Sequence, residues 1–379
     1  MPAATVRQLT DAVYLSPDDN ICVAARNLAA GEKLAIAGTS IQLAQPVRLG
    51  HKIAVRQVAK GAFVRKYGQI IGQATEAIEP GQWVHSHNLI NGEFARDHAS
   101  STAVPPPPAP IVGRTFQGYK RPGGKAGTRN YIAVISTVNC SATVSRYIAQ
   151  RFDRASLRDF PNVDGVIAVK HGGGCGIQYQ GLQHEILNRT LAGMAKHPNI
   201  GGYLLVGLGC EQATSGYLMQ SQNLLQIGGN GATRPVGPPV LSMQDQGGTT
   251  RTIEEGVRLL SELLPRVNDV RRESIPASEI LLGTNCGGSD GSSGVTCNPA
   301  LGIASDMLVA HGATTILAET PEIYGGEHLL LRRARSQAVG QKLLKQIRWW
   351  EEYVAKFGGA IDNNRSEEHT SELQSPYVI

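Results

Sequence analysis

The run Val104-Pro105-Pro106-Pro107-Pro108-Ala109-Pro110 constrains this chain more than any other stretch of it. Proline fixes φ and has no N–H to donate, so the run is extended and enters neither a helix interior nor a central strand. It also separates two textures. From about residue 8 to residue 100, short β-like runs such as Lys33-Leu34-Ala35-Ile36, His51-Lys52-Ile53-Ala54-Val55 and Gln69-Ile70-Ile71-Gly72 alternate with glycine, the pattern of a small all-β domain. After it, β-branched runs at 131–136, 165–170, 203–207, 280–283 and 314–318 alternate with helix-length segments, among them 252–264 and 327–353. That is the texture of βαβ units around a mainly parallel sheet. The expected order is an all-β domain over 8–100, a stiff linker over 101–112 and an α/β domain over 113–364.

Charge and composition exclude several classes. The 379 residues carry 36 Lys+Arg against 31 Asp+Glu, a net charge of +5 without a block of like charges, so nucleic acid is not an expected partner. The first ten residues lack the basic-then-apolar layout of a signal peptide. No stretch approaches the ~20 apolar residues that span a bilayer, so the expectation is a cytoplasmic protein with no membrane partner. The six cysteines then read as thiols, not as a disulfide framework. Self-association is left open.

Four of the five expected strands run into a turn that contains cysteine: Cys140, Cys175, Cys210 and Cys286. The first three recur at a constant interval of 35 residues, about one strand–helix unit. Ligands bind outside the carboxyl ends of an open parallel sheet, so residues placed there converge from distant parts of a chain. Flanked by glycines, the four thiols are candidates for a shared soft-metal or iron–sulfur site, with structural packing as the alternative for each. Cys22 and Cys297 lack this setting and are assigned to packing. His171 stands in the second of these turns as a candidate catalytic group, and Glu319 follows the fifth strand and would bring a carboxylate to the same edge. The run from Gly287 to Gly294 offers free N–H groups and hydroxyls to an anion; Gly287, Gly288, Ser289 and Asp290 are its candidate substrate contacts.

In the first domain, His85-Ser86-His87 places two imidazoles at i and i+2, on one side of a strand, as a chelating pair requires. His51, Lys66 and Tyr67 belong to a basic cluster able to hold a carboxylate or supply a base, with solvated edge-strand charges as the alternative.

Several of these motifs resemble one family. Gly50-His51-Lys52-Ile53-Ala54, Lys66-Tyr67-Gly68-Gln69-Ile70-Ile71-Gly72 and His85-Ser86-His87-Asn88 resemble the SAF (β-clip-like) module that opens altronate dehydratases. Gly127-Thr128-Arg129-Asn130, Gly207-Leu208-Gly209-Cys210-Glu211, the segment from Cys286 to Gly294 and Glu319-Thr320-Pro321-Glu322-Ile323-Tyr324-Gly325 resemble the catalytic domain of the altronate/galactarate dehydratase family. The resemblance implies a hydro-lyase acting on a small sugar acid, with Fe2+ or another divalent metal, or an iron–sulfur cluster, as cofactor. It adds Arg129 and Asn130 as substrate contacts and tilts the substrate toward D-altronate because His85 and His87 are both present. Galactarate dehydration, a sulfolactate sulfo-lyase activity and non-catalytic sugar-acid or metal binding are the rival readings. After Asn364 the chain departs from the family pattern, and residues 365–379 resemble a translated sequencing adapter, expected to be a non-native tail.

Overall fold

The computed structural model describes residues 11–36, 38–90, 97–122, 124, 126–212, 214–224, 238–285 and 293–359. The fold divides into two compact units, one formed by Met1–Val112 with Leu281–Ile379 and the other by Gly113–Ile280. The boundary near residue 112 falls where the proline run ends. The second boundary, between Ile280 and Leu281, divides the expected 113–364 domain and joins its C-terminal part to the all-β module.

The N-terminal module is built from short strands. β1 (Ala12–Val13), β2 (Ile21–Ala24), β5 (Lys52–Ala54) and β8 (Trp83–Val84) form an antiparallel sheet in the order β1-β2-β5-β8. β3 (Lys33–Ile36) pairs with β4 (Thr39–Gln42), and β6 (Phe63–Lys66), β7 (Gln69–Ala74) and β9 (Leu89–Ile90) form a third sheet. Ile21, Val23, Val58, Val64 and Ile78 are buried together in one cluster, and Leu28, Leu34, Ile41 and Ile53 in a second. Each such side chain contributes about 1.5–3 kcal/mol on burial.

The second unit is the α/β part. β12 (Tyr131–Ser136), β13 (Gly165–Val169), β14 (Ile200–Gly207) and β15 (Val240–Ser242) form a parallel sheet in the order β13-β12-β14-β15. α1 (Ala142–Ala149) and α4 (Thr249–Asn268) share one core with this sheet through Val144, Ile148, Leu260 and Leu263. α2 (Leu182–Ala195) and α3 (Ser215–Ser221) share another through Leu191, Tyr203, Leu205 and Leu218. Ile132, Val134, Leu204 and Val206 serve the first core, and Ala133, Ile135, Tyr203 and Leu205 the second. Successive residues of a strand point to opposite faces, so two faces packed on helices make the strands continuously apolar. A smaller antiparallel sheet of β11 (Ala126–Gly127), β10 (Thr115–Lys120) and β16 (Glu273–Pro276) completes the unit.

The last two expected parallel strands are not in that sheet. β17 (Leu281–Gly283) and β18 (Thr314–Ile316) pair with each other in a separate parallel sheet within the first unit. α5 (Cys297–Ala310) connects them and exposes Ile303 and Met307. The helix expected over 327–353 is broken into α6 (Glu327–Arg333) and α7 (Gln337–Ala355), where Ser336 caps the second by accepting the Val339 N–H at 3.4 Å. The proline run is held at both ends. Ser101 and Ala103 donate their N–H groups to the Leu331 and Arg332 carbonyls, and Ile111 to that of Ala310.

Candidate active site

Antiparallel register assembles the first cluster. Lys52 faces Val84 and Ile53 faces Trp83, so one step further the pairing sets His51 across from His85, with ring centroids 5.7 Å apart. Trp83 lies among three imidazoles, at 5.4 Å from His51, 4.8 Å from His85 and 5.1 Å from His87. His85 and His87 do not share a strand face. They sit in the turn between β8 and β9, which the buried Asn88 organises by accepting the His85 N–H at 2.9 Å and donating to the Trp83 carbonyl at 3.0 Å. The two rings gather on Trp83 because the turn folds back, not because of a period of two.

The tautomer of His51 follows from its neighbour. The indole N–H can only donate, and it donates to Nδ1 of His51 at 3.1 Å. That nitrogen therefore carries no proton, and the neutral ring keeps its hydrogen on Nε2.

The second cluster surrounds the turn between β6 and β7. Tyr67 and Gly68 both have positive φ, 56° and 70°, as a two-residue turn of the hairpin type requires. Lys66, next to them, is only 2% exposed, and its ammonium lies 5.7 Å from the centre of the Tyr67 ring. The Tyr67 hydroxyl donates to the carbonyl of Gly294, the end of the glycine-rich run. Asp19, fully buried, accepts the N–H groups of Tyr67 at 3.0 Å, Gly68 at 2.6 Å and Ser16 at 3.1 Å. Burial pushes its carboxyl above the usual range, and these three donors with the Lys66 charge pull part of the way back. His328, from α6, lies 3.3 Å from the side chain of Gln69. Asp19, Asn88 and His328 are side chains that motif reading missed. Asp19 and His328 are marked by long-range hydrogen bonds that leave no local signal in the sequence, whereas Asn88 bonds within its own turn.

Glu319 follows β18 and holds φ 62° and ψ 66°, a left-handed conformation rare outside glycine. Asn285, following β17, donates to its carboxylate at 2.8 Å. The carboxylate therefore stands at the edge of the two-stranded sheet and not on the strands that carry Cys140, Cys175 and Cys210. Cys286, Gly287, Gly288, Ser289 and Asp290 lie outside the described residues, as does the 365–379 tail.

In the second unit the three cysteine turns do share one edge. Asn139 donates its N–H to the Gly173 carbonyl at 2.8 Å, and Thr137 donates to that of Val206 at 3.0 Å, so the turns after β12, β13 and β14 lie side by side. Glu211, buried beside Cys210, accepts the Thr137 hydroxyl at 2.8 Å and the Gly209 N–H at 2.7 Å. Cys140, Cys175 and Cys210 are exposed free thiols. No three His, Cys, Asp or Glu side chains among the described residues are grouped to hold a metal ion.

Four assignments change. His171 donates from Nε2 to the Ser136 carbonyl and accepts the Gly173 N–H on Nδ1, each at 3.1 Å. Both nitrogens are committed, and burial pushes the imidazole below its usual range against the pull of the Ser136 and Thr137 backbone groups. It staples β12 to β13 and has no nitrogen left for a substrate proton. Arg129 and Asn130 precede β12, at the amino edge of the sheet, opposite the cysteine turns. Asn130 is fully buried; its amide donates to the Asn162 and Val267 carbonyls and accepts from Arg121, which makes it a structural tie. Cys297 is exposed at the start of α5, whereas Cys22 packs in the core with its thiol pushed up to about 12 by burial.

Comparison with known proteins covers all parts of this architecture. Models of the altronate/galactarate dehydratase SAF domain, the D-galactarate dehydratase/altronate hydrolase second domain and the D-galactarate/altronate dehydratase C-terminal domain match residues 10–92, 118–268 and 277–371. The last match runs past Asn364 into the stretch read as non-native. Altronate dehydratase of Bacillus subtilis (strain 168) is 34% identical over 358 residues, which is 93% of this chain and 69% of that protein. Altronate dehydratase of Escherichia coli (strain K12) is 34% identical over 349 residues, 92% of this chain and 68% of that protein. Galactarate dehydratase (L-threo-forming) of the same strain is 33% identical over 320 residues, 83% of this chain and 60% of its own length. With identity of this level spread over both units, the chain belongs to the altronate/galactarate dehydratase family.

Proposed function

We propose that this protein is a hydro-lyase that converts D-altronate to 2-dehydro-3-deoxy-D-gluconate and water. The observation that carries the reading is the imidazole cluster on Trp83, set beside the identity to two altronate dehydratases. Removing water from such an acid breaks the C–H bond α to the carboxylate and the C–O bond at the β carbon. The electron pair of the C–H bond forms the new C=C bond, and the enol so made tautomerises to the 2-keto acid. The α-proton needs a base, and the departing hydroxyl needs a proton.

His51 suits the second task. The Trp83 indole, donating to Nδ1, keeps the ring proton on Nε2, and that N–H is the one assigned to the leaving hydroxyl. Lys66 and Tyr67 are the candidates for the first task and for binding the carboxylate. Ferrous iron or another divalent metal would supply Lewis-acid help to both bonds, and an iron–sulfur cluster is the alternative form. His85 and His87 are the imidazole pair proposed to face it, and the steps above are assigned to side chains alone. The free thiols fit a reducing, cytoplasmic setting.

The test is product formation, read as 2-keto-3-deoxy acid, from D-altronate and from galactarate under anaerobic conditions with Fe2+ added. Altronate should be the better substrate. Lys66→Met and His51→Phe should each lower turnover by about 100-fold or more, the scale of a lost general acid or base. Replacing His85 and His87 together by alanine should lower turnover and bound metal in parallel. Turnover of galactarate alone would move the substrate to the second reading, which the 33% identity to a galactarate dehydratase supports.

A further inference from the structure

We propose that Asp19 is a positioning residue for the reaction, holding the Tyr67–Gly68 turn so that Lys66 and Tyr67 keep their places. This rests on the reading that the turn takes part in the chemistry. Asp19 lies in the loop before β2, far in sequence from the turn, yet its two carboxylate oxygens accept three backbone N–H groups, two of them from the turn itself. Tyr67 holds a left-handed φ without being glycine, a conformation that persists only where the surroundings over-determine it. The bidentate carboxylate supplies that determination.

Asp19 is itself fixed from behind. Its carbonyl accepts the Tyr14 hydroxyl at 3.0 Å and Nε of Arg56 at 3.1 Å. The next residue, Asn20, ties the same hairpin at another place, accepting the Arg65 N–H and donating to the Phe63 carbonyl, each at 2.8 Å. The pair thus divides the work: Asn20 fixes the body of β6, and Asp19 fixes the turn that carries Tyr67 and directly follows Lys66. Only a carboxylate meets three donors with acceptors alone. An asparagine at 19 would point an N–H2 group at one of those N–H groups and open the turn.

The experiment compares Asp19→Asn with Asn20→Ala in the same chain, measuring melting temperature, kcat and KM on D-altronate, and the amide proton shifts of Tyr67 and Gly68. Both variants remove buried bonds to one hairpin, so both should lower the melting temperature. Asp19→Asn alone should lower kcat by about 100-fold, the scale of a displaced catalytic group, with KM little changed and both amide protons moved upfield. Asn20→Ala should keep kcat within about threefold of wild type and leave those shifts in place. If Asp19→Asn fails to fold, Gly68→Ala serves instead, because it strains φ +70° in ordinary contact with Ser16 and leaves the carboxylate intact. Normal kcat in Asp19→Asn or its substitute, with Lys66→Met inactive, overturns the proposal. Full activity in Lys66→Met and Tyr67→Phe would instead remove the reading on which it rests. Unshifted amides in Asp19→Asn would then dispose of the clamp as well.

Discussion

His51 and His171 show how the partners of an imidazole decide its use. At His51 a group that can only donate occupies Nδ1, which fixes the ring proton on Nε2. At His171 the Gly173 N–H and the Ser136 carbonyl occupy one nitrogen each. A proton added to Nδ1 of His171 would have to displace the Gly173 N–H, and burial also disfavours the charged ring. The folded state therefore binds this proton less readily than the unfolded chain. The sign follows from linkage: the contribution to stability is fully present above the ordinary histidine range and is lost as pH falls through it toward the depressed folded value. Melting temperature should thus fall between about pH 7.5 and 5.5, on either side of the ordinary histidine value. His171→Gln, which keeps a donor for Ser136 but does not titrate, should flatten that slope. Equal slopes in the two proteins would show that His171 is charged without penalty.

At the scale of elements, the N-terminal module repeats one device four times. Leu28, Val47, Val58 and Ile78 are buried, and each stands three residues before a glycine of positive φ: Gly31 at 81°, Gly50 at 84°, Gly61 at 80° and Gly81 at 87°. The apolar residues pair as isolated bridges, Leu28 with Val47 and Val58 with Ile78. Gly81 is tighter than Gly31 and Gly61; a Cβ there would stand 1.9 Å from the Gln42 carbonyl oxygen. Gly81→Ala should cost about 2–4 kcal/mol, combining left-handed strain with overpacking against backbone. Gly38→Ala, with φ +80° and nothing within 4 Å, should cost only about 1 kcal/mol. Denaturant midpoints of the two variants check this, and equal shifts would remove the packing argument.

The repeat was legible as glycine punctuation but not as a fourfold pattern, because strands of two to six residues are too short to show a period. The longer strands β12, β13 and β14 were legible because burial on both faces makes them continuously apolar. β10, β15 and β16 were not. The strand-end turns with Cys140, Cys175 and Cys210 lie on one edge, but β17 and β18, expected in the same sheet, pair in another, since one texture serves strands of two different sheets. In the candidate site, sequence reading named His51, His85, His87, Lys66 and Tyr67. It could not show which nitrogen of His51 carries the proton, or that Asp19 holds the turn, because both depend on hydrogen bonds between distant residues.

Among the described residues, each of the four hydrophobic clusters is built within one unit. The clusters around Ile53 and Ile78 belong to the first unit, and those around Ile148 and Leu205 to the second. The chain itself passes between the units twice, after Val112 and after Ile280. Cooperative unfolding follows shared cores, so two transitions are expected in calorimetry, not one. Ile148 makes the assignment possible. It is fully buried between α1 and α4, where Gly256 lets the helices meet so closely that an added Cβ would stand 2.4 Å from the isoleucine side chain. Ile148→Ala should remove about 2–5 kcal/mol from the second unit. At roughly 2–4 °C per kcal/mol for a unit of this size, that lowers one transition by about 5–15 °C and leaves the other in place. Ile78→Ala, fully buried in the first unit, should move the other transition instead. A single transition displaced by either substitution would show that the two units unfold as one cooperative body despite their separate cores.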